Sequence, residues 1–515
     1  MSKDLKNVAS VSAITIISRV TGLFRDVVFF AVLGANSWSS AFVLGFTIPN
    51  LFRRLFGEGA LSSAFIPVFS SIVESRNLKN AFSFFNIFII RWVFYLSVIA
   101  CILVLLLQVG ITLGLFPERW LLSIRIFQSL MPYMVFICLA AIITGALNVL
   151  GRFFSPSLAP VVFNLVLILV LSLGALLNLG SQELVVWLCI GVLLGGILQL
   201  GLPAFDLIRQ GWKFDKIRET ESDKDYFKGF WVLFLPSLLG AALLQINILI
   251  SRLFAHSLDD VSVSFIYISS RLMELPLGVF TIAIVTVFFP KMSRLYLQES
   301  KHAFSQIVEK GMRFILIIVT PATLGLCLLS REILSMLFQW GRFSVDDVIA
   351  TAPIVVIYAL ALPFHSIATF LVRAFYAKKD MKVPLRLSLY FLVLNIVFSI
   401  ILMNIWGVYG LATANLITAI IHAYFLVLAS HKSFSISFLR VMGRVLKPIT
   451  IGSLSIALIC LLGKFLISIF EYNEKTEVFL VLLLLIPLSV LSYFFIISLF
   501  GISFGRIIRA LKNSA

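Results

Sequence analysis

One stretch decides what kind of fold this chain has: Ile17-Ser18-Arg19-Val20-Thr21-Gly22-Leu23-Phe24-Arg25-Asp26. It lies inside a long apolar segment, residues 8–33, which is long enough to cross a bilayer as a helix. Charged side chains are expensive at that depth and usually face a cavity or a partner. On a helix, Arg19, Gly22 and Asp26 lie on one face. We therefore predict a transmembrane helix that lines something polar, with the alternative that Arg25 and Asp26 only mark the end of the helix.

The composition is that of a polytopic membrane protein. The 515-residue chain is 60% hydrophobic and 13% charged, whereas a soluble domain is about half apolar and about a quarter charged. The net charge of +17 comes from basic residues in short connections, as membrane topology requires, and we expect no nucleic-acid partner. The first apolar segment is too long and too charged for a cleaved signal peptide, so we expect it to be retained.

Apolar segments of spanning length recur along the whole chain. A helix needs about 20 residues to cross the hydrocarbon. The sequence predicts fourteen spans, at residues 8–33, 37–57, 82–108, 122–150, 157–180, 184–208, 228–256, 262–289, 305–330, 346–376, 384–405, 408–430, 446–469 and 478–502. Lysine and arginine concentrate in alternate connections, beginning with the N-terminus, and the opposite connections are short or acidic. This asymmetry predicts that both termini are cytoplasmic.

The chain contains an internal repeat. Phe65-Ile66-Pro67-Val68-Phe69-Ser70 is echoed by Phe288-Phe289-Pro290-Lys291-Met292-Ser293, and Arg91 is echoed by Arg313. The offset is about 222 residues, and a fixed offset marks a duplicated unit. An even number of spans per copy makes the copies parallel, related by an axis along the membrane normal. We predict an all-α integral membrane fold of fourteen transmembrane helices, in two pseudo-symmetric six-helix lobes plus two C-terminal helices.

The predicted boundaries follow from the repeat. They are an N-lobe at residues 1–210, a cytoplasmic linker at 211–228, a C-lobe at 229–432 and a C-terminal pair at 446–502. Two such lobes enclose a central cavity, and alternating access is their usual motion. A membrane scaffold that transports nothing is the alternative, and duplicated bundles with intramembrane arginines argue against it.

Arginines concentrate on the first two helices of each half. Pro49 weakens the second helix and could turn Arg53 inward, although Arg53 with Arg54 could also be a plain cytoplasmic pair. Arg271 and Glu274 are neighbours on one helix face and could simply neutralise each other. The guanidinium group suits phosphate because it keeps its charge and forks onto two oxygens. The cavity is therefore predicted to bind an anionic, phosphorylated ligand.

Nothing in the sequence indicates chemistry on that ligand. There is no Walker loop, no Ser-His-Asp pattern and no metal-binding His/Cys set, and the five cysteines have neither metal nor disulfide spacing. The histidines are scattered along the chain. We expect a transporter and not an enzyme, with no cofactor and no metal site. The five cysteines are Cys101, Cys138, Cys189, Cys327 and Cys460, and the five histidines are His256, His302, His365, His422 and His431.

Several segments resemble one known family. They are Ser18-Arg19-Val20-Thr21-Gly22-Leu23-Phe24-Arg25-Asp26, Pro49-Asn50-Leu51-Phe52-Arg53-Arg54-Leu55-Phe56-Gly57-Glu58-Gly59-Ala60, Ala64-Phe65-Ile66-Pro67, Arg271-Leu272-Met273-Glu274-Leu275-Pro276-Leu277-Gly278-Val279 and Phe338-Gln339-Trp340-Gly341-Arg342-Phe343. These resemble the MurJ (MviN) lipid II flippases of the multidrug/oligosaccharidyl-lipid/polysaccharide exporter superfamily. The resemblance covers essentially the whole chain, in order.

The resemblance implies a function and a location. Members of this family flip lipid II, the undecaprenyl-pyrophosphate-linked disaccharide-pentapeptide, from the cytoplasmic to the outer leaflet of the bacterial inner membrane for peptidoglycan synthesis. It implies lipid II and membrane lipids as partners, a monomer, and a C-terminal helix pair whose groove holds the lipid tail. Two alternatives remain, a flippase for another lipid-linked oligosaccharide and a multidrug or cation antiporter of the same superfamily.

The resemblance also implies residue roles. Substrate-binding arginines match Arg19, Arg25 and Arg271, and the gate or cavity residues match Arg53, Glu58 and Glu274, with Asp26 as the local partner of Arg25. Because the second and eighth predicted helices are interrupted by proline, Pro49 and Pro276 are candidate hinges.

Two departures bear on what drives transport. Ser40 stands where the family is often acidic, and near Ser251 some relatives carry an aspartate of a sodium site. Sodium coupling through the same residues is therefore not expected. Asn395 and Thr413 offer neutral oxygens as weak candidates for a coupling-ion site. Sodium, protons or the membrane potential are the expected energy sources, since a charge moved through 100 mV is worth about 2.3 kcal/mol.

Overall fold

The computed structural model of this chain describes residues 3–57, 59–215, 221–469 and 475–501. Within these ranges the chain is helical almost throughout and contains no β-strand. The helices are α1 (Lys3–Leu33), α2 (Ser37–Phe52), α3 (Ala60–Arg76), α4 (Leu78–Thr112), α5 (Glu118–Val149), α6 (Phe154–Leu176), α7 (Ser181–Arg209), α8 (Glu221–Leu258), α9 (Ser262–Pro276), α10 (Ile282–Leu297), α11 (Lys301–Leu328), α12 (Ser330–Phe338), α13 (Val345–Ala377), α14 (Lys382–Phe434), α15 (Phe438–Ile469) and α16 (Lys475–Leu499). Two π-helical segments, π1 (Arg53–Gly57) and π2 (Leu277–Thr281), follow α2 and α9.

The predicted count of fourteen spans is confirmed in the described part of the chain. There, 12 helices are long and apolar enough to cross a membrane, and two of these are composite, one formed by α2, π1 and α3 and one by α9, π2 and α10. The 53-residue helix α14 contains two spans, and α1, with 31 residues, is a further span. The 9 residues of α12 are too few to cross the hydrocarbon.

The two spans within α14 form an antiparallel hairpin. Gly407 has φ 55° and ψ −131°, which is far from helical geometry and is open to glycine because it lacks a Cβ. On either side of Gly407, Asn395 Nδ2 donates to Thr418 Oγ1 at 3.4 Å, and the rings of Phe391 and His422 lie 4.8 Å apart. Both pairs are centred on the reversal, so the two arms run back along each other.

The helices divide into two compact units. Unit 1 comprises Met1–Ser264 with Trp340–Phe343, and unit 2 comprises Phe265–Gln339 with Ser344–Ala515. In unit 1, α5 packs against α2 and α7, α6 packs against α1 and α7, and α3 packs against α8. In unit 2, α13 packs against α11 and α14, and α15 packs against α11 and α16.

The units do not follow the predicted lobe boundaries. Helix α8 belongs by its contacts to unit 1, whereas the repeat predicts that residues from 229 onward belong to the C-lobe. The lobe assignment, which rests on the repeat, stays a prediction. Part of the predicted linker, residues 216–220, lies outside the described residues.

Each copy of the repeat places its phenylalanines in a buried core. In unit 1, Phe65, Phe69, Phe85 and Phe88 pack with ring centroids 4.9 to 5.9 Å apart. In unit 2, Phe288 lies in a buried cluster with residues of α11 and α13. Such rings pack against one another in offset and edge-to-face arrangements, which fixes how the neighbouring helices pack.

The C-terminal helices pack on unit 2 through glycines and a buried tyrosine. A Cβ at Gly452 would lie 2.7 Å from the Tyr493 ring, so α15 and α16 can approach closely only because this residue is glycine. The Tyr493 hydroxyl donates to Ile317 O on α11 at 2.9 Å. Lys464 of α15 forms an ion pair with Glu332 of α12 at 3.1 Å.

Candidate functional site

The first predicted arginine site lies where α1 packs against α6. Arg25 donates from Nη2 and Nε to Asp26 Oδ1 at 2.6 and 3.1 Å. It also donates from Nη1 to Asn164 Oδ1 on α6 at 3.1 Å. The Arg25 and Asp26 side chains are 13% and 5% exposed, so the charge-assisted bonds are poorly screened and strong. Arg25 is therefore held in one orientation by side chains of two helices.

Asn164 ties the two helices together. Its amide nitrogen donates to Ser18 O at 3.4 Å while its oxygen accepts from Arg25. The amide thus satisfies a backbone carbonyl of α1 and an arginine of the same helix. Sequence reasoning did not identify Asn164, because nothing in the local pattern relates it to a residue so distant in the chain.

Arg19 is in a different environment on the same helix. Its side chain is exposed, and within the described ranges it makes no hydrogen bond or ion pair. Asp26, on the same face, is 3% exposed. This face of α1 therefore changes along its length from a packed contact at Asp26 to an accessible guanidinium at Arg19.

The second predicted site lies at the end of α2. Pro49 is buried inside this helix, and the π-helical segment π1 begins four residues later, at Arg53. Arg53 Nε donates to Asn50 Oδ1 at 2.8 Å, which directs the guanidinium back along its own helix. Glu58, predicted as a gate residue, lies outside the described residues.

A further arginine supports α2 from the side. Arg252 of α8 donates from Nη1 to Thr47 Oγ1 at 2.7 Å. Thr47 is buried and donates to Val43 O at 2.6 Å. The repeat predicts that Arg252, like Arg271, belongs to the first two helices of the second half. The contact joins α8 to α2, so Arg252 serves the first unit.

The third predicted site lies on α9. Arg271 donates from Nη1 to Glu274 Oε2 at 3.2 Å and from Nε to Tyr267 Oη at 3.3 Å. Its guanidinium carbon is also 5.4 Å from the Tyr267 ring centroid, within range of a cation–π interaction. The Arg271 and Glu274 side chains are 32% and 34% exposed, so this pair is accessible from outside unit 2.

Both predicted hinge prolines are followed by π-helix. Pro49 precedes π1, and Pro276 is immediately followed by π2. Proline removes one backbone donor and crowds the carbonyl four residues earlier, and π-bulges are frequent at kinks and functional sites. Hence the two repeat copies share one construction, a helix interrupted near a proline.

Ser40 belongs to a buried group of hydroxyls. Its Oγ lies 3.0 Å from Ser264 Oγ, which also lies 3.1 Å from Ser39 Oγ. Asn36 caps α2 by accepting from the backbone N–H of Trp38 and Ser39. The position that is often acidic in the resembled family therefore takes part here in a neutral hydrogen-bond network.

The two candidate coupling-ion residues, Asn395 and Thr413, make hydrogen bonds to different partners. Asn395 is buried and contacts Thr418 and Ser399, whereas Thr413 donates to Tyr409 O at 2.8 Å within its own helix. Thr418 rather than Thr413 is thus the hydroxyl next to Asn395. The described residues contain no group of three or more His, Cys, Asp or Glu that could hold a metal ion.

A family model and similar proteins from other bacteria identify the same family. The family model for the lipid II flippase MurJ matches residues 29–504. A probable lipid II flippase MurJ from Bdellovibrio bacteriovorus is 33% identical over 436 residues, which cover 82% of this chain and 81% of the relative. The Vibrio cholerae protein of the same description is 32% identical over 442 residues, 81% of each chain.

Solved structures give the same result. A lipid II flippase MurJ in an inward closed conformation superposes with a TM-score of 0.77 at 26% identity, covering 95% of this chain and 98% of that one. An inward-facing MATE family transporter of the MOP superfamily gives 0.68 at 14% identity, covering 83% and 98%, and shows the shared fold alone. With most of its length matched by both the family model and these relatives, the chain belongs to the MurJ family of lipid II flippases.

Proposed function

We propose that this chain translocates lipid II from the cytoplasmic to the outer leaflet of the bacterial inner membrane, to supply peptidoglycan synthesis. The observation that carries the proposal is that one arginine of α1 and one of α9 are accessible in this chain of the MurJ family. Arg19 is exposed, and Arg271 is 32% exposed although it lies in a transmembrane segment. Intramembrane arginines that remain accessible are rare unless they bind something.

The chemistry of the ligand fits these arginines. A diphosphate carries its charge on several oxygens, and a guanidinium donates to two of them at once. We assign Arg19, Arg25 and Arg271 to the diphosphate and the adjacent sugar. Arg25 is oriented by Asp26 and Asn164, so it loses little side-chain entropy when a ligand binds.

The lipid tail needs a different surface. Helices α15 and α16 expose many large apolar residues, among them Leu454 at 69%, Leu458 at 60%, Leu484 at 72% and Leu491 at 68%. Moving a polyprenyl chain into a polar cavity is unfavourable, because the chain loses its apolar surroundings. Between leucine side chains and lipid acyl chains it keeps them. We assign the tail to this face of the C-terminal pair while the head group crosses.

The proposed cycle is alternating access by a monomer with both termini in the cytoplasm. Bending at Pro49 with π1 and at Pro276 with π2 would let each interrupted helix change its direction without breaking the rest of the span. Arg53 and Glu58 are assigned to the cytoplasmic gate, and Glu274 to the Arg271 site. We infer no cofactor, and a coupling ion (Na⁺ or H⁺) or the membrane potential as the source of energy.

The carboxylates described beside Arg25 and Arg271 do not favour a cation antiporter. A cationic substrate needs carboxylates that are open to it, but Asp26 lies 2.6 Å from Arg25 and Glu274 lies 3.2 Å from Arg271. Each carboxylate is therefore already compensated. For a flippase of another lipid-linked oligosaccharide the arginines would serve equally well, and the match to the lipid II flippases decides between the two.

The test is lipid II accessibility in cells whose only flippase is this chain. An externally added enzyme that cleaves outer-leaflet lipid II should find substrate with the unchanged chain and with Arg373→Ala, an exposed arginine of α13 outside the assigned site. With Arg271→Ala or Arg19→Ala it should find little. Unchanged accessibility after depletion of the protein would reject the proposal.

A further inference from the structure

A small pocket lies between α4 and α8 of unit 1, and none of its lining residues belongs to the site assigned to lipid II. Its cavity volume is about 50 Å³, and it is lined by Phe88, Arg91, Trp92, Tyr95, Phe227, Phe230 and Trp231. A single water needs about 10–15 Å³ of such volume, so the pocket has room for a group of the size of phosphate and is too small for a sugar ring. Of these lining residues, Arg91 alone is charged.

Arg91 is the residue that the internal repeat pairs with Arg313, and the proposed transport uses neither. Arg313 donates from Nε to Glu309 O at 3.2 Å, within its own helix α11. Arg91 lies over a ring of another helix, with its guanidinium carbon 4.3 Å from the Phe227 ring centroid, within range of a cation–π interaction. Stacking of this kind uses the face of the guanidinium, whereas the N–H groups that bind anions lie along its edge.

Aromatic side chains form the walls of the pocket. Phe88, Trp92 and Phe230 are buried, and the Trp92 ring lies 6.0 Å from that of Phe230 and 6.2 Å from that of Trp231. Tyr95 and Trp231 are exposed, and neither makes a hydrogen bond in the part of the chain that the structure describes. The rim of the pocket therefore offers two open donors, a phenol hydroxyl and an indole N–H.

The pocket lies at the level of lipid head groups. From Arg91 to the end of α4 at Thr112 there are 21 residues, which rise about 32 Å, and the hydrocarbon of a bilayer is about 30 Å thick. Tryptophan and tyrosine are enriched at this boundary. In the proposed orientation, with both termini in the cytoplasm, the boundary at Arg91 is that of the cytoplasmic leaflet.

An apolar stripe leads away from the pocket along α4. Beyond Tyr95, exposed apolar side chains follow at intervals of three or four residues, so they share one helix face. They are Val98, Ile102, Leu105 and Val109. A ligand with acyl chains can place its polar group in the pocket and its chains on this stripe, whereas a soluble phosphate makes no contact with the stripe.

The exposed charges next to the pocket are mainly positive. Lys224 and Lys228 of α8 are exposed, and so is Asp225, whereas Asp223 is buried. Together with Arg91 this gives three basic groups against one exposed carboxylate. Such an excess favours an anionic head group over a zwitterionic one.

We propose that this pocket binds the phosphate of an anionic phospholipid of the cytoplasmic leaflet, with Arg91 as the phosphate ligand and Tyr95 and Trp231 donating at the rim. The guanidinium donates to two phosphate oxygens at once, and its stacking on Phe227 orients it before the lipid arrives. The site goes beyond the proposed transport of lipid II, because it requires only the membrane that surrounds the chain. A lipid bound there contacts both α4 and α8.

The first test is the affinity of the full-length chain for palmitoyl-oleoyl phosphatidylglycerol, measured by native mass spectrometry. Arg91→Gln removes charge-assisted hydrogen bonds and should weaken binding of the first lipid about tenfold. Arg209→Gln is the matched control, because Arg209 also stacks on a phenylalanine, at 4.4 Å from the Phe205 ring centroid, but on the exposed surface of α7. The control should bind normally. Equal weakening by both variants, or by neither, would overturn the proposal.

A second variant separates binding from folding. Tyr95→Phe/Trp231→Phe changes two exposed side chains and keeps aromatic rings at both positions, so the melting temperature should stay that of the unchanged chain. It removes both rim donors and should weaken binding about fivefold. If the affinity is unchanged in this variant, the proposed site is wrong even where Arg91→Gln fails to fold.

The second test locates the lipid. A trace of phosphatidylglycerol with a photoreactive diazirine in its acyl chain is crosslinked to the chain in phosphatidylcholine nanodiscs, and the labelled peptides are compared with those from a photoreactive phosphatidylcholine. Phosphatidylglycerol should give the stronger label on α4 between Tyr95 and Val109, and Arg91→Gln should abolish the difference while Arg209→Gln keeps it. Equal labelling by the two lipids in the unchanged chain would show ordinary contact with bulk lipid and reject the site.

Competition identifies the source of the phosphate. Neither phosphatidylcholine at the same concentration nor inorganic phosphate in large excess should displace the photoreactive phosphatidylglycerol. Displacement by either would contradict the assignment to an anionic lipid. If lipid II displaces it at a lower concentration than phosphatidylglycerol itself does, the pocket is a substrate site and the proposal fails.

Discussion

Arg25 in unit 1 and Arg271 in unit 2 are both intramembrane arginines beside a carboxylate, yet the protein holds them differently. Arg25 and Asp26 are 13% and 5% exposed, and a second helix contributes Asn164. Arg271 and Glu274 are 32% and 34% exposed, and Tyr267 and Glu274 of the same helix accept from Arg271. We infer that Arg25 is part of the packing of unit 1 as well as of the site, whereas Arg271 serves mainly the ligand.

Arg25→Ala should have the largest effect, because it damages folding and transport together. Removing one member of a buried ion pair costs about 3–5 kcal/mol, since the other charge stays buried. We expect a markedly lower melting temperature in detergent and no outer-leaflet lipid II. The double variant Arg25→Ala/Asp26→Asn removes the buried charge as well, so it should regain much of the stability and none of the transport. Equal stability of both variants would contradict a packed role for Arg25.

Arg271→Ala should abolish transport while leaving the fold intact. A pair that is about one third exposed contributes about 0–1 kcal/mol to stability, so the melting temperature should stay close to that of the unchanged chain. Arg271→Lys keeps the charge without the planar fork and should retain only part of the transport. A loss of stability as large as that of Arg25→Ala would remove the distinction between the two arginines.

Substitution of the prolines in the two interrupted helices tests whether this shared construction of the repeat copies is needed for transport. Pro49→Ala and Pro276→Ala each restore a backbone donor, which favours a continuous α-helix over the π segment. If each substitution raises the free energy of bending by about 1 kcal/mol, lipid II should be flipped about fivefold more slowly. The melting temperature should be equal to or higher than that of the unchanged chain. Pro448→Ala, in α15, is the matched control because no π segment follows it. Unchanged rates in both variants would exclude hinges at these places.

Tyr267→Phe should have the smallest effect and sharpens the description of the Arg271 site. It removes a hydroxyl that accepts from Arg271 Nε at 3.3 Å but keeps the ring beneath the guanidinium. A net loss of about 0.5–1 kcal/mol predicts about twofold to fivefold weaker lipid II binding. Tyr390→Phe, exposed on α14, should bind normally. Binding measured by native mass spectrometry would show whether the hydroxyl positions the arginine.

Sequence reasoning reached the features that are local in the chain. The apolar segments have the length that a bilayer demands, and all fourteen spans occur in the described residues, including the two joined at Gly407. The pairs Arg25–Asp26 and Arg271–Glu274 are neighbours along one helix, so their contacts follow from helical spacing. The π-helical segments lie next to the prolines that were predicted as hinges.

Contacts between distant segments could not be predicted. Asn164 is 139 residues from Arg25 along the chain, and Arg252 is 205 residues from Thr47. The packing of α8 with unit 1 and the approach of His365 to Asn415 are of the same kind. Nothing in a single sequence records which helices become neighbours, because apolar faces in a membrane pack against lipid almost as well as against each other.

By itself, the sequence determined that this protein is a membrane-spanning helical bundle. It also determined that arginines lie inside the membrane spans and that prolines weaken two of the helices. These features follow from hydropathy, charge and backbone chemistry, which are properties of the local chain. The tertiary structure alone decided which arginine is buried against Asn164 and which is open, and that His365 of α13 meets Asn415 of α14. Those outcomes depend on shape complementarity between helix faces far apart in the chain, which local composition does not encode.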